Sequence, residues 1–139
     1  MATVPPVFGP YDPSRSVFEQ VGGEDGVRAL TERFYDLMDI EPDFAALRAV
    51  HGPTLDQPRE RLFWFLCGYF GGPDHYVRRF GHPRLRARHL PFPVGERERD
   101  QWVACMGRAM ADLDYPQPLA ERLLHAFFGT ADWMRNREG

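Results

Sequence analysis

The sequence contains no lysine and only two cysteines. All 17 basic residues are therefore arginine, whose rigid guanidinium group binds carboxylates and phosphates through paired hydrogen bonds. The cysteines, Cys67 and Cys105, both lie inside apolar helical patterns, so each is interpreted as a buried free thiol that behaves as a small apolar side chain. The cysteine usage thus shows no sign of the disulfide framework found in small secreted domains.

Long apolar runs are also lacking. No segment approaches the roughly 20 consecutive apolar residues that a membrane-spanning helix needs. The first residues, MATVPPVFGPYDPS, have neither the basic start nor the apolar stretch of a secretory signal. We therefore expect a cytoplasmic protein that does not act at a membrane.

The alternation of apolar and polar residues that marks a half-buried strand does not occur. Apolar residues instead recur at every third or fourth position, the pattern of helices that are buried on one side. This periodicity predicts an all-α fold with four main helices, over residues 24–38, 57–70, 96–113 and 116–134.

The chain has the length of a single domain. Residues 1–13 contain four prolines and are predicted to form an irregular arm, whereas residues 14–139 are predicted to form the folded domain. Ser14 is predicted to cap a short helix that ends at Gly22 and Gly23.

The helix that contains LFWFLCGYF, residues 62–70, is apolar almost all round. A helix of this kind is buried on two faces rather than one. One face can pack on other helices, so something else must cover the second face.

A basic segment, FGHPRLRARHLPFP, occupies residues 80–93 of a chain whose net charge is −3. Its glycine and prolines allow only short helical pieces. The arginines here form a solvated surface, a contact for phosphate or nucleic acid, or a clamp for the two carboxylates of a haem. An isoelectric point of about 5.9 argues against a nucleic-acid partner.

His89, at the end of the arginine run, is a candidate axial ligand of haem iron, because neutral imidazole is the usual ligand in oxygen-binding haem proteins. A plain surface histidine is the alternative. The motif C-x-x-C-H is absent, so any haem is held without covalent attachment. His75, His82 and His89 are spaced like a zinc face, but Gly81 and Pro83 interrupt the helix that such a face requires.

Two aromatic residues are candidate polar groups of a cofactor pocket. Tyr35 follows Phe34 inside the first long helix, and Trp102 lies on the buried face of the third. By default both are core residues. If the helices enclose a cofactor, they offer an O–H and an N–H donor inside an apolar cavity.

Five motifs together resemble a truncated haemoglobin of the second group, along residues 14–135. They are the Gly-Gly pair at 22–23, RFY at 33–35, FGGPDHY at 70–76, GHPRLRARHLPF at 81–92 and RDQW at 99–102. The resemblance implies a two-over-two helical globin with haem b between the helix of residues 58–70 and the loop that ends at His89. It also implies reversible binding of oxygen, carbon monoxide and nitric oxide.

Carried over by position, His89 is the expected proximal ligand, and Tyr35 and Trp102 are the expected distal donors. Pro58 and Leu62 fall where the distal helix faces the ligand. The residues further expected to contact the haem are Arg84 and Arg88, at the propionates, and Phe34, Phe65, Tyr76, Phe92 and Met106.

Two positions depart from the family pattern. His51 follows a small insertion in residues 39–53 and falls where the family often has tyrosine or phenylalanine. It could join the distal donors, and either it or Tyr35 could ligate the iron in the ligand-free protein. Pro58 stands where many globins have a polar distal residue, and it can donate no hydrogen bond.

The resemblance leaves several roles open. These are oxygen transport, storage, sensing, detoxification and electron transfer, with peroxidase-like or nitric oxide dioxygenase-like activity and an unidentified reductase among the possibilities. The alternative function is a cofactor-free helical module whose arginine-rich loop binds phosphate-bearing partners.

Overall fold

The structure is a computed structural model, and it describes residues 12, 14–82, 84 and 94–136. Within these residues the elements are α1 (Val17–Gln20), α2 (Gly23–Ile40), a 3₁₀ turn (Pro42–Phe44), α3 (Ala45–Ala49), α4 (Asp56–Tyr69), α5 (His75–Phe80), α6 (Glu96–Asp112) and α7 (Gln117–Trp133). The described part of the chain contains no strand. The predicted all-α class and the four main helices are confirmed, because α2, α4, α6 and α7 occupy the predicted ranges to within two residues at every end.

The start of α1 differs from the prediction. Ser16, not Ser14, caps this helix, and its Oγ accepts a hydrogen bond of 3.1 Å from the Glu19 amide. Ser14 is instead held by Asp12, whose Oδ1 accepts bonds from the Ser14 amide at 2.9 Å and its hydroxyl at 2.7 Å. Aspartate often binds the backbone two residues ahead in this way, and the turn delays the helix.

Glycine ends α4 where the sequence places a Gly-Gly pair. Gly71 has a φ of 90°, a left-handed conformation that glycine adopts without steric cost. The Gly71 amide donates to Gly68 O at 3.0 Å and the Gly72 amide to Cys67 O at 2.8 Å. This pattern of bonds is the Schellman motif, which satisfies the last carbonyls of a helix.

The helices pack as two pairs. In the first, α2 lies against α4, and in the second, α6 lies against α7; contacts between α2 and α6 join the pairs. The core between them is formed by fully or almost fully buried side chains, among them Leu30, Phe34, Met38, Leu66, Met106, Met110, Leu119 and Phe127. Burial of each such side chain stabilises the fold by about 1.5–3 kcal/mol relative to exposure.

Asn136, which follows α7, is bonded to Val94, which lies just before α6. The Val94 amide donates to Asn136 Oδ1 at 2.9 Å, and the Asn136 amide donates to Val94 O at 2.8 Å. These two bonds fix Val94, the first described residue after the basic segment, against the residues that follow α7. None of the described helices is long and apolar enough to cross a membrane.

Candidate functional site

A cavity of about 290 Å³ lies between α4, α6 and α7. Most of its surface is apolar, which is typical of pockets that bind organic ligands. Its wall is formed by Val50, His51, Gly52, Pro58, Arg61, Leu62, Phe65, Leu66, Tyr69, Tyr76, Val94, Trp102, Phe127, Thr130, Ala131 and Met134. Gly52, Arg61 and Tyr69 are exposed, so the cavity opens at the protein surface.

Helix α4 supplies one wall. Leu62, Phe65 and Tyr69 recur at three and four residues and face the cavity. On other sides of the same helix, Phe63 and Cys67 are buried in the core. The core-facing side of the predicted two-sided burial is thus present. The second face is only partly buried, because it borders an open cavity: Leu62 and Phe65 are partly exposed and Tyr69 is exposed.

The opposite wall comes from α7, which contains no residue predicted for the site. Phe127, Thr130 and Ala131 of this helix line the cavity, together with Met134 just after its end. Thr130 Oγ1 lies 3.2 Å from the Tyr69 hydroxyl of α4, so one hydrogen bond connects the two walls. The pattern of α7 is that of an ordinary amphipathic helix, and no local signal distinguishes its cavity-lining residues from core residues.

Trp102 of α6 lines the cavity, as expected for a pocket residue. Its ring centre lies 5.3 Å from those of Phe34 and Phe127, and these contacts hold the indole between α2 and α7. Among the described residues no acceptor is found for the indole N–H. Trp102 is partly buried, and its N–H is available as a donor for a ligand.

His51 also lines the cavity. Its Nδ1 lies 2.9 Å from Leu47 O. A carbonyl only accepts, so Nδ1 donates and the neutral ring carries its proton there, which makes Nε2 the acceptor atom of the ring. The His51 ring stands nearly perpendicular to that of Tyr35, with centres 6.0 Å apart.

Tyr35 lies behind His51, with only 5% of its surface exposed, and is not part of the cavity wall. Burial raises the pKa of Tyr35 above its ordinary value, while the charge of Arg59 acts in the opposite direction. The hydroxyl is therefore protonated and able to donate throughout the physiological range. It makes no hydrogen bond with the other described residues.

The remaining predicted site residues fall into four groups. Pro58, Leu62, Phe65 and Tyr76 line the cavity. Phe34 and Met106 are fully buried in the core beside it, and Arg84 is exposed with a φ of 46°. His89, Arg88 and Phe92 lie outside the described residues. The assignment of all these residues to a haem stays a prediction.

Arg61 was not predicted for the site, although it lines the cavity. It is exposed, and its guanidinium carbon lies 5.5 Å from the ring centre of Phe80. The sequence feature that could have indicated Arg61 as a site residue is its place on α4, one turn after Pro58. A cation at the opening of an apolar cavity suits a ligand that has an apolar body and an anionic edge.

The described histidines do not assemble a metal site. His75 Nε2 lies 3.2 Å from Glu24 Oε1, and His82 Nδ1 accepts a bond of 3.1 Å from the Arg84 amide. Within residues 14–82 and 94–136, no three His, Cys, Asp or Glu side chains come together as metal ligands.

The family model of bacterial-like globins matches residues 16–136. The chain belongs to the bacterial-like globin family. Among curated proteins, this globin is 34% identical to the group 2 truncated haemoglobin YjbI of Bacillus subtilis, over 83% of this chain and 85% of the relative. The resemblance to truncated haemoglobins of the second group is thereby confirmed.

Solved structures of globins support the same conclusion. The group II two-on-two haemoglobin from the plant pathogen Agrobacterium tumefaciens superposes with a TM-score of 0.86 and 38% identity, covering 94% of this chain and 100% of that one. A truncated oxygen-avid haemoglobin from Bacillus subtilis gives a TM-score of 0.80 and 33% identity, covering 88% of this chain and 100% of that one. The predicted two-over-two globin fold is confirmed.

Proposed function

We propose that this globin holds a haem in the cavity between α4 and α7 and thereby binds oxygen and other diatomic gases reversibly. The haem supplies an iron atom that takes up the gas. The observation that carries the proposal is the apolar cavity with Trp102 and His51 in its wall. The oxygen-avid truncated haemoglobin of Bacillus subtilis, which shares this fold, supports the choice of ligand.

The residues of the cavity fit a haem. Leu62 and Phe65 on one wall and Phe127 on the other present apolar surfaces to a flat ring system. Arg61, exposed at the opening, suits the carboxylates at the edge of a haem. Haem b is the form proposed, because the chain lacks the paired cysteines that attach haem covalently.

His89 is proposed as the proximal ligand. Val94, five residues further along, lines the cavity and is fixed by Asn136. His89 itself lies outside the described residues, so its role rests on the position that the family resemblance assigns to it. Of the four described histidines, only His51 lines the cavity. Arg84 and Arg88 remain proposed partners of the propionates.

The distal donors are proposed to be Trp102 and Tyr35. His51 joins them only in its protonated form, because the neutral ring already uses its one N–H at Nδ1 on Leu47 O. The indole N–H and the phenol O–H have no acceptor among the described residues. Trp102 lies in the cavity wall, whereas Tyr35 lies beside His51 outside it, so the phenol is proposed to donate to a gas that binds next to His51. In an apolar cavity such bonds are stronger than in water. Pro58 has no N–H group and so supplies no hydrogen-bond donor to the cavity.

Transport of oxygen in the cytoplasm, peroxidase-like chemistry and nitric oxide dioxygenase-like chemistry are finer versions of the same proposal. They use one cavity and differ in rates and partners. The two redox versions require an electron donor, and a reductase is the proposed partner.

The test is the ultraviolet–visible spectrum of the purified protein in ferric, dithionite-reduced and carbon monoxide-treated forms. We expect a Soret band that shifts with carbon monoxide and weakens in His89→Ala. His125→Ala is the matched control, because His125 is exposed on α7 and does not line the cavity. A colourless protein that takes up no added haemin would refute the proposal and favour the phosphate-binding alternative.

A further inference from the structure

Arg59 follows Pro58 in the first turn of α4 and reaches across to α2. Its guanidinium donates to Glu32 Oε2 at 2.6 Å and to Asp36 Oδ1 at 2.8 Å. The guanidinium carbon also lies 5.8 Å from the centre of the Tyr35 ring. One cation is thus shared between two carboxylates of α2 and the aromatic face of Tyr35.

The position of this cation is well defined. Glu32 and Asp36 lie one turn apart on α2, and the rigid fork of Arg59 contacts both at once. Burial lowers the pKa of Arg59, but the hydrogen bonds to Asp36 and Glu32 outweigh it and raise that pKa overall. Only 20% of the Arg59 side chain is exposed, so solvent and salt screen its charge less than that of a surface arginine.

A cation near an aromatic face attracts the π electrons of the ring. In a phenol this attraction favours loss of the proton, so the O–H group becomes more polar and donates a stronger hydrogen bond. Because Tyr35 is 5% exposed, the interaction takes place in surroundings of low polarity. The same contact also limits where the ring can lie.

We propose that Arg59 is a positioning residue for Tyr35: held by Glu32 and Asp36, it fixes the ring and strengthens its hydroxyl as a donor to a gas in the cavity. The inference rests on the proposed function, since it concerns the hydrogen bond that Tyr35 makes to that gas. The distal site then includes the ion pair between α2 and α4, which lies outside the cavity wall.

Arg28 provides a matched control within the same interface. Its guanidinium donates to Glu60 at 2.8 and 3.2 Å and lies 3.8 Å from Glu32, so it too bridges α2 and α4. It stacks 3.8 Å from the ring centre of Phe63, which has no hydroxyl. Arg28→Gln therefore removes comparable ion pairs between the same helices, while Arg59 keeps its own bonds to Glu32 and Asp36 and its contact with Tyr35.

The first measurement is the rate of oxygen dissociation, by stopped flow, in Arg59→Gln and Arg28→Gln. We expect Arg59→Gln to release oxygen roughly two- to fivefold faster, the size of effect typical of one cation–π contact. Arg28→Gln should keep the wild-type rate. In a Tyr35→Phe background, Arg59→Gln should have no further effect. Equal acceleration in both arginine variants, or an undiminished effect without the hydroxyl, would show that the ion pairs act only on overall stability.

The second measurement reads Tyr35 directly, in protein as purified, reduced and treated with carbon monoxide. Tyrosine labelled with ¹³C at Cζ reports the polarity of each phenol by nuclear magnetic resonance, and the Tyr35→Phe spectrum assigns the signal. We expect Arg59→Gln to shift the Tyr35 resonance and Arg28→Gln to leave it in place. An unmoved signal in Arg59→Gln overturns the inference even if the haem proposal holds. If the wild type lacks a carbon monoxide-sensitive Soret band, the haem proposal fails on its own and the tyrosine signal is still readable.

Discussion

The two walls of the cavity differ in how well they can be predicted from the sequence. The α4 wall belongs to a helix that is apolar almost all round between residues 62 and 70. One buried face does not account for so many apolar residues, so the sequence predicted a second buried face. The α7 wall belongs to a helix with one ordinary apolar stripe, through Leu119, Leu123, Phe127 and Ala131. Both walls nevertheless border the same space.

The difference shows what hydrophobic periodicity reports. It indicates that a face is buried, but it does not say whether that face meets other side chains or a cavity. Phe127 does both, since it is 2% exposed, contacts the rings of Trp102 and Phe70, and lines the cavity. Phe65 lines the cavity but is only partly buried.

The largest effect is expected from Phe127→Ala. This substitution removes a ring that packs on three aromatic neighbours, so we expect the free energy of unfolding to fall by about 3–5 kcal/mol. Phe65→Ala, on the opposite wall, should cost clearly less because Phe65 contributes less to the core. Urea unfolding followed by circular dichroism measures both, and equal losses would contradict the distinction between the walls.

A smaller effect is expected where the walls meet, at the hydrogen bond between Tyr69 and Thr130. Both side chains are partly accessible to solvent, so the bond should contribute at most about 1 kcal/mol. A double-mutant cycle of Tyr69→Phe and Thr130→Val isolates this contribution. Strictly additive losses would mean that the walls are held together by apolar packing alone.

The smallest effect concerns acid stability at the end of α7. Hydrogen bonds from Arg99 and Arg135 lower the pKa of Asp132 below its usual value of 3.8. A carboxyl group whose pKa is depressed in the folded state stabilises the fold above its unfolded pKa, and this stabilisation is lost as the pH falls through the folded pKa. We expect the melting temperature of Asp132→Asn to fall less steeply than that of the wild type below about pH 4. Identical slopes would show that these exposed ion pairs do not affect stability.

Much of the fold could be predicted from the sequence, because the signals are local. Helix bounds follow from apolar periodicity, prolines and the Gly-Gly pairs, which act within a few residues of one another. The start of α1 was the exception, since Asp12 competes for Ser14 and the helix begins at Ser16 instead. Ser14 and Ser16 are alternative caps of similar energy, and the sequence pattern alone does not distinguish between them.

The site was predicted less completely. Trp102, His51 and the face of α4 were expected near a pocket, and all of them line the cavity. Arg61 and the residues of α7 were missed, because an exposed arginine and an amphipathic stripe have many ordinary explanations. The contact of Arg59 with Tyr35 was likewise invisible, since it joins positions 24 residues apart on different helices.

By itself the sequence determined that the chain forms helices, where most of them begin and end, and that one helix has a second face to bury. Hydrogen bonding within a helix and its apolar period depend only on neighbouring residues, which explains why these features can be read directly. Only the tertiary structure decided which side chains enclose the cavity and which cation lies beside Tyr35. Those contacts arise because α2, α4, α6 and α7 pack against one another. The spacing of residues along one helix does not indicate which residues of the partner helix it will contact.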